Sequence, residues 1–173
     1  MTPGYADEGA LAVHSLLDRA RVRHRLVSHP PTFSANAEAE VAHVPPGRVA
    51  KTVVTTDRGH VRLAVVPASR ELDLARLRAA VDASPHVRLA TEQEIAAAFP
   101  GFEVGAVPPL GELIGAEEIV DPLVLHAPEV LAAAGDHRHG VLVDPEQLVE
   151  AARARVADIC RHRGRRFSEA PLV

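Results

Sequence analysis

Residues 47–69, GRVAKTVVTTDRGHVRLAVVPAS, decide the fold. Two runs rich in β-branched residues, 49–56 and 60–66, flank Asp57-Arg58-Gly59, where Gly59 can take the positive φ that a tight turn needs. The pattern predicts a β-hairpin. Strand side chains alternate, so Val49, Lys51, Val53 and Thr55 share one face while Ala50, Thr52 and Val54 share the other. Lys51 thus stands between two valines, where a hairpin core would favour a third. Two readings are open. The face is half exposed and the ammonium reaches solvent along its aliphatic stem, or the ammonium is held in a cleft for a phosphate or a carbonyl oxygen.

Around the hairpin the periodicity changes. Val13, Leu16, Leu17 and Ala20 recur at helical spacing, predicting a first amphipathic helix within residues 8–22, and residues 23–29 read as a short strand. Ser34 is placed to cap a helix that Pro45, Pro46 and Gly47 end, and Asp73 to cap one carrying Leu74, Leu77 and Val81. Thr91 and Glu94 form a capping-box signature. Residues 100–111, PGFEVGAVPPLG, make a constrained loop. Residues 117–121, 123–126 and 140–143 are expected strands, and 144–159 a closing helix with Pro145 in its first turn and Leu148, Ala151, Ala152 and Ile159 facing inward. Helices and strands mix without regular βαβ alternation. The expected fold is α+β: a mixed, largely antiparallel, barrel-like central sheet surrounded by helices. All 173 residues form one domain in this reading, with 161–173 a basic tail.

Composition excludes several functions. Hydrophobic residues are 47% and charged residues 24%, as in folded globular chains. The net charge of −4 gives no global basic field, so DNA is not an expected partner; RHRGRR, from Arg161 to Arg166, is a local exception. Aromatic residues are only 3%, too few for RNA recognition by stacking. The single cysteine, Cys160, forms no internal disulfide and reads as an inert small hydrophobe within a helix. With no basic start before an apolar run and no run near the roughly 18 residues of a membrane span, a cytoplasmic protein without membrane contact is expected.

Chemistry-bearing motifs are few. There is no phosphate-binding loop, no dinucleotide fingerprint, no cysteine pair and no GxSxG nucleophile elbow. His137 and His139, two apart, could share a metal with His126, which would make a histidine-ligated hydrolase. In GAVPPLG, Gly105 allows unusual backbone conformations while Pro108 and Pro109 stiffen the segment beyond it. Such a loop is either a structural turn or a rigid frame that aims backbone groups at a ligand.

The ordered set HPPTFSANAEAE (29–40), VAKTVV (49–54), LAVVPASRELDLARLR (63–78), VGAVPPLG (104–111) and AAGDHRHGVLV (133–143) resembles the YbaK and prolyl-tRNA-synthetase-associated, ProX-like, family of aminoacyl-tRNA editing domains. The resemblance implies hydrolysis of the ester between a wrong amino acid and the 3′ end of a tRNA. The partner would be the acceptor end of a mischarged tRNA, with an aminoacyl-tRNA synthetase as a further candidate, and neither a metal nor an organic cofactor is expected. Carried over by motif, Lys51 engages the substrate's 3′-terminal region, with Thr52 beside it. Gly105, Val107, Pro108 and Pro109 belong to the GxxxP loop that places the aminoacyl group and the attacking water. Phe33 matches a pocket-lining position, Gly135 lies in the late loop that completes the pocket, and His137 is this chain's own contribution there. Ala133 stands where some relatives carry Ser or His, which touches amino-acid choice. A pocket of prolines and small residues favours Ala, Ser, Thr or Cys. The same fold could also serve as a non-catalytic module that binds an amino acid or a nucleotide.

Overall fold

The computed structural model describes residues 8–162. The remainder of the proposed basic tail, from Arg163 onward, lies outside them. The hairpin forms as expected: β2 (Val49–Asp57) pairs antiparallel with β3 (His60–Pro67), from Ala50 opposite Pro67 to Asp57 opposite His60. Its turn has positive φ at both Arg58 (52°) and Gly59 (86°), a geometry whose twist matches that of the flanking strands.

Around this hairpin runs one eight-stranded mixed sheet. Its order is β1 (His24–Ser28), β7 (His139–Val143), β6 (Val130–Ala133), β2, β3, β5 (Glu117–Val120) and β8 (Arg155–Val156), with β4 (Arg88–Leu89) on the far end of β2. The ladders β1–β7, β6–β7, β2–β3 and β2–β4 are antiparallel, whereas β2–β6, β3–β5 and β5–β8 are parallel. The sheet does not close on itself.

Strand alternation sends neighbouring residues to opposite faces. Val65 packs with Val13 and Leu17 of α1 (Glu8–Arg19) and Leu148 of α5 (Pro145–Ala152), while Ala64 and Val66 pack with Leu77 of α3 (Leu74–Val81) and with Ile119 and Ile159. Two smaller clusters seat α2 (Ala35–Val41) through Ala39 on Val49 and α4 (Glu92–Ala98) through Ile95 beside Val54 and Leu63. Three caps are those expected, and Asp144 adds a fourth. Ser34 accepts from the Ala37 N–H, Asp73 from Ala75 and Arg76, and Asp144 from Glu146 and Gln147, while Thr91 and Glu94 bond reciprocally. Among the described residues no helix is long and apolar enough to cross a membrane.

Two expected elements are different. Residues 122–126 form a 3-10 helix, not a strand, because Pro122 sits at its first turn and the Asp121 carboxylate accepts the Leu123 N–H. The closing helix stops at Ala152, where Arg153 turns left-handed (φ 47°); the chain then adds β8 to the sheet. Ile159 and Cys160 are therefore not helical. Their N–H groups both bond the Asp121 carboxylate at 2.9 Å, and the backbone of Cys160 bridges that of Leu72. Burial pushes Asp121 up, but these N–H donors outweigh it and hold the carboxyl below its ordinary value. Burial beside that carboxylate drives the Cys160 thiol up to about 12, so the inert role expected of it stands.

Glu118 is the other buried carboxyl of the core. Its Oε2 accepts the Gly111 N–H at 2.7 Å, its Oε1 has no partner, and burial raises it to about 8 against an ordinary 4.5. At neutral pH the folded chain therefore keeps a proton that the unfolded chain releases. Its contribution is complete below the unfolded value and is lost as pH rises toward 8, with a slope approaching about 1.4 kcal/mol per pH unit. Thermal melts between pH 5 and 8 should show this decline, and Glu118→Gln should flatten it.

Candidate functional site

One pocket gathers the chemistry. It opens where the start of β2, the loop before α2, the loop after α4 and the β6–β7 connection meet, and its cavity volume is about 50 Å³. Lys51, Thr52, Gly105, Val107 and His137, all expected at the site, line it together. The other expected residues do not line it. Phe33 is 79% exposed and stacks on the His137 ring at 4.8 Å, so it stands outside at the rim. Pro108 and Pro109 are buried in the continuation of the Gly105 loop. Gly135 is buried behind the wall and acts through its backbone.

Lys51 is partly buried, and its Nζ donates to the Arg70 carbonyl at 2.9 Å. Among the described residues no carboxylate lies within 4.0 Å of it, so its charge is not neutralised by an ion pair and two of its three donors remain. Gly105 has φ of 88°, and a Cβ there would lie 3.3 Å from the His137 ring. Neither the Gly105 nor the Val107 N–H donates to a protein acceptor among the described residues, while the intervening Ala106 N–H is used by Glu103 O.

Four further polar lining residues were not singled out from sequence: His29, Thr32, Glu38 and Asp136. His29 Nδ1 donates to the Pro30 carbonyl at 2.8 Å, which leaves Nε2 facing Glu38 Oε1 at 3.5 Å. Burial raises the Glu38 carboxyl, and the attraction of His29 only partly offsets it. Two lone-pair atoms facing each other in a buried wall call for one shared proton. The ring of His139 is committed to Asp136 at 2.9 Å, and His126 is exposed. The structure does not bring His126, His137 and His139 together as metal ligands; among the described residues the one cluster with ligand geometry is His14, Asp18 and His24, away from this pocket. The sequence held a faint signal for the His29–Glu38 pair, a histidine before two prolines and an acid in the next short helix, but nothing there says that the two meet.

Of the four buried side-chain polar atoms without a partner among the described residues, three belong to this wall: His29 Nε2, Glu38 Oε1 and Thr52 Oγ1. His29 Nε2 and Glu38 Oε1 answer each other across 3.5 Å, while the Thr52 hydroxyl has no partner there, a cost of about 1–3 kcal/mol.

The comparisons agree in kind. The model of the family described as "Aminoacyl-tRNA editing domain" matches residues 29–151, and the chain belongs to that family. A solved "putative trans-editing enzyme for prolyl tRNA synthetase" is 26% identical and superposes with a TM-score of 0.78, covering 94% of this chain and 99% of its own. A scaffold protein from work on computational epitope grafting is similar at 25% identity and TM-score 0.79, over 94% of this chain and all of its own. A third, described as a hypothetical protein, reaches 25% and 0.78 over 87% of this chain and 99% of its own. No curated protein matches the chain significantly.

The backbone clamp behind the pocket can be tested. Gly135 has φ of 91°, and a Cβ on it would lie 2.7 Å from the Phe102 ring and 3.0 Å from Gly9 backbone, whereas Gly59, with φ of 86°, has open space around it. Both alanine variants carry the left-handed strain of about 1–2 kcal/mol. Gly135→Ala should cost clearly more than Gly59→Ala in urea unfolding, the difference being the clash.

Proposed function

We propose that this chain is an aminoacyl-tRNA deacylase acting in trans, which hydrolyses the ester of a tRNA mischarged with a small amino acid. The observation that carries the reading is that one small pocket is lined by Lys51, Thr52, the His29–Glu38 pair and the backbone of Gly105 and Val107, whose two N–H groups have no protein acceptor among the described residues. An activated ester asks for little more: a positioned water and donors for the oxyanion that forms when it attacks.

In this mechanism the Gly105 and Val107 N–H groups are donors to the developing oxyanion. Thr52 Oγ1 and the His29–Glu38 pair order the water and its proton, and Lys51 binds the terminal phosphate or ribose. The leaving 3′ oxygen takes a proton from the attacking water, with the neighbouring 2′-hydroxyl of the tRNA within reach to relay it. A cavity of about 50 Å³ has room for roughly three to five water-sized groups. That suits Ala, Ser, Thr or Cys together with a water, and not a bulky side chain. The family membership and the likeness to a protein described as a trans-editing enzyme support the same reading. Protein contacts to RNA would be few and confined to the acceptor end.

The test is a deacylation panel of mischarged tRNAs. Lys51→Ala should slow hydrolysis of the preferred substrate by roughly 10- to 100-fold, the worth of one charge-assisted hydrogen bond. Unchanged rates for every tRNA would remove the assigned role of Lys51. An enlarged side chain, such as Leu on the same tRNA, should be a poorer substrate than Ala; equal rates would refute the size argument.

A further inference from the structure

Where α1 ends, the chain makes a tight reversal. Arg21 turns left-handed (φ 57°), and the buried Val22 donates its N–H back to Leu17 O at 2.9 Å, so that β1 begins beside the last turns of the helix. The reversal brings His24, the first residue of β1, against His14 and Asp18, which stand four apart on one face of α1.

Chemistry at this corner is that of a ligand set. The side chain of His24 is only 5% exposed, and its Nδ1 donates to the Val22 carbonyl at 2.8 Å. That bond fixes the ring and its tautomer and leaves the Nε2 lone pair aimed at α1, the outer-shell arrangement typical of metal-binding histidines. His14 Nδ1 lies 2.7 Å from this Nε2, and the other His14 nitrogen lies 3.3 Å from Asp18 Oδ2. Asp18 Oδ1 is 4.0 Å from His24 Nε2. One ligand atom from each residue falls within 4.8 Å of the others. A single proton can satisfy the contact between the two rings, but then the second His14 nitrogen still turns a lone pair to a carboxylate. A dication bound by His24 Nε2, one His14 nitrogen and the Asp18 carboxylate, with the His14 proton on the other nitrogen, satisfies all three groups.

We propose that His14, Asp18 and His24 form a binding site for a divalent cation of the zinc class, with water completing the coordination. Tetrahedral bonds of about 2.0–2.1 Å separate neighbouring ligand atoms by about 3.3 Å. The observed 2.7 and 4.0 Å straddle that value, and the three ligand atoms all lie within 4.8 Å of one another, so side-chain adjustments bring them to it. They fall on His14 and Asp18, whose side chains are 47% and 61% exposed and free to move, while His24 stays fixed. Two imidazoles favour zinc, cobalt or nickel over magnesium or calcium, which prefer oxygen ligands. The site is structural: it ties the end of α1 to the edge strand of the sheet and lies apart from the candidate pocket. It does not depend on the proposed deacylase reading.

The test uses the full chain, without a histidine tag, stripped with chelator and then titrated with zinc by calorimetry and cobalt by visible absorption. The expected result is one equivalent of either metal, a cobalt spectrum of four-coordinate type, and a melting temperature that rises with free metal, since a ligand of the folded state stabilises it. His14→Ala, at a half-exposed position that should fold normally, should weaken zinc binding at least tenfold. Asp18→Asn should weaken it too. His162→Ala, which removes another histidine with an i,i+4 aspartate partner, should leave it unchanged. No saturable binding, or binding that His14→Ala leaves intact, would overturn the proposal.

Discussion

Everything at the pocket depends on one close approach of backbone to backbone. Gly9, in the first turn of α1, lies against Gly135 so tightly that a Cβ on Gly9 would sit 2.6 Å from the Gly135 carbonyl oxygen. The same Gly135 donates its N–H to Ala106 O at 3.0 Å and accepts from the Glu103 N–H at 2.9 Å. Three segments far apart in sequence are thereby locked at one point: the first helix, the loop that carries Gly105, and the connection that carries Asp136 and His137. The His137 N–H adds a bond to Glu103 Oε2 at 2.8 Å. No side chain could make this junction, because any side chain would hold the backbones apart. Residues 105–107 and 136–137 can therefore line one cavity together.

The contrast among the buried carboxyls shows where the molecule spends its polarity. Asp121 receives three backbone N–H groups and stays ionised, which makes it a knot joining β5, the 3-10 helix after it and the final described segment. Glu118 has one donor and holds a proton near neutrality. Glu38, in the cavity wall, faces no donor apart from His29, 3.5 Å away. The first two are structural arrangements in which each ionisation state follows from the donors supplied. The third is answered by a single histidine, and burial raises its carboxyl.

Much of this was legible in the sequence, for physical reasons. The hairpin was readable because alternation and a turn glycine are local signals, and the caps at Ser34, Asp73 and Thr91 because a cap involves residues two or three apart. The pocket residues Lys51, Gly105 and His137 were reachable through their ordered motifs. What the sequence hid was non-local. The apparent closing helix is cut at Arg153 because residues beyond it gain partners in β5 and Asp121, far upstream. Helical periodicity in 153–159 could not reveal that competition. The strand β6 lay unmarked in a run of alanines, and its pairing with both β2 and β7 comes from tertiary contact. Phe33, Pro108, Pro109 and Gly135 stand close to the cavity in sequence yet outside its lining, since neighbours along a chain point in different directions.

The setting of Lys51 bears on both of its readings. A lysine between Val49 and Val53 could have extended its stem into solvent, and a lysine that stabilises a fold commonly faces a carboxylate. Here Nζ is held by the Arg70 carbonyl. A carbonyl dipole fixes the position of the ammonium but leaves its net charge uncancelled, whereas a carboxylate would have neutralised it. The partly buried setting weakens screening by water, so that charge acts more strongly on whatever enters beside it. The strand supplies rigidity, the carbonyl supplies orientation, and the charge stays uncancelled.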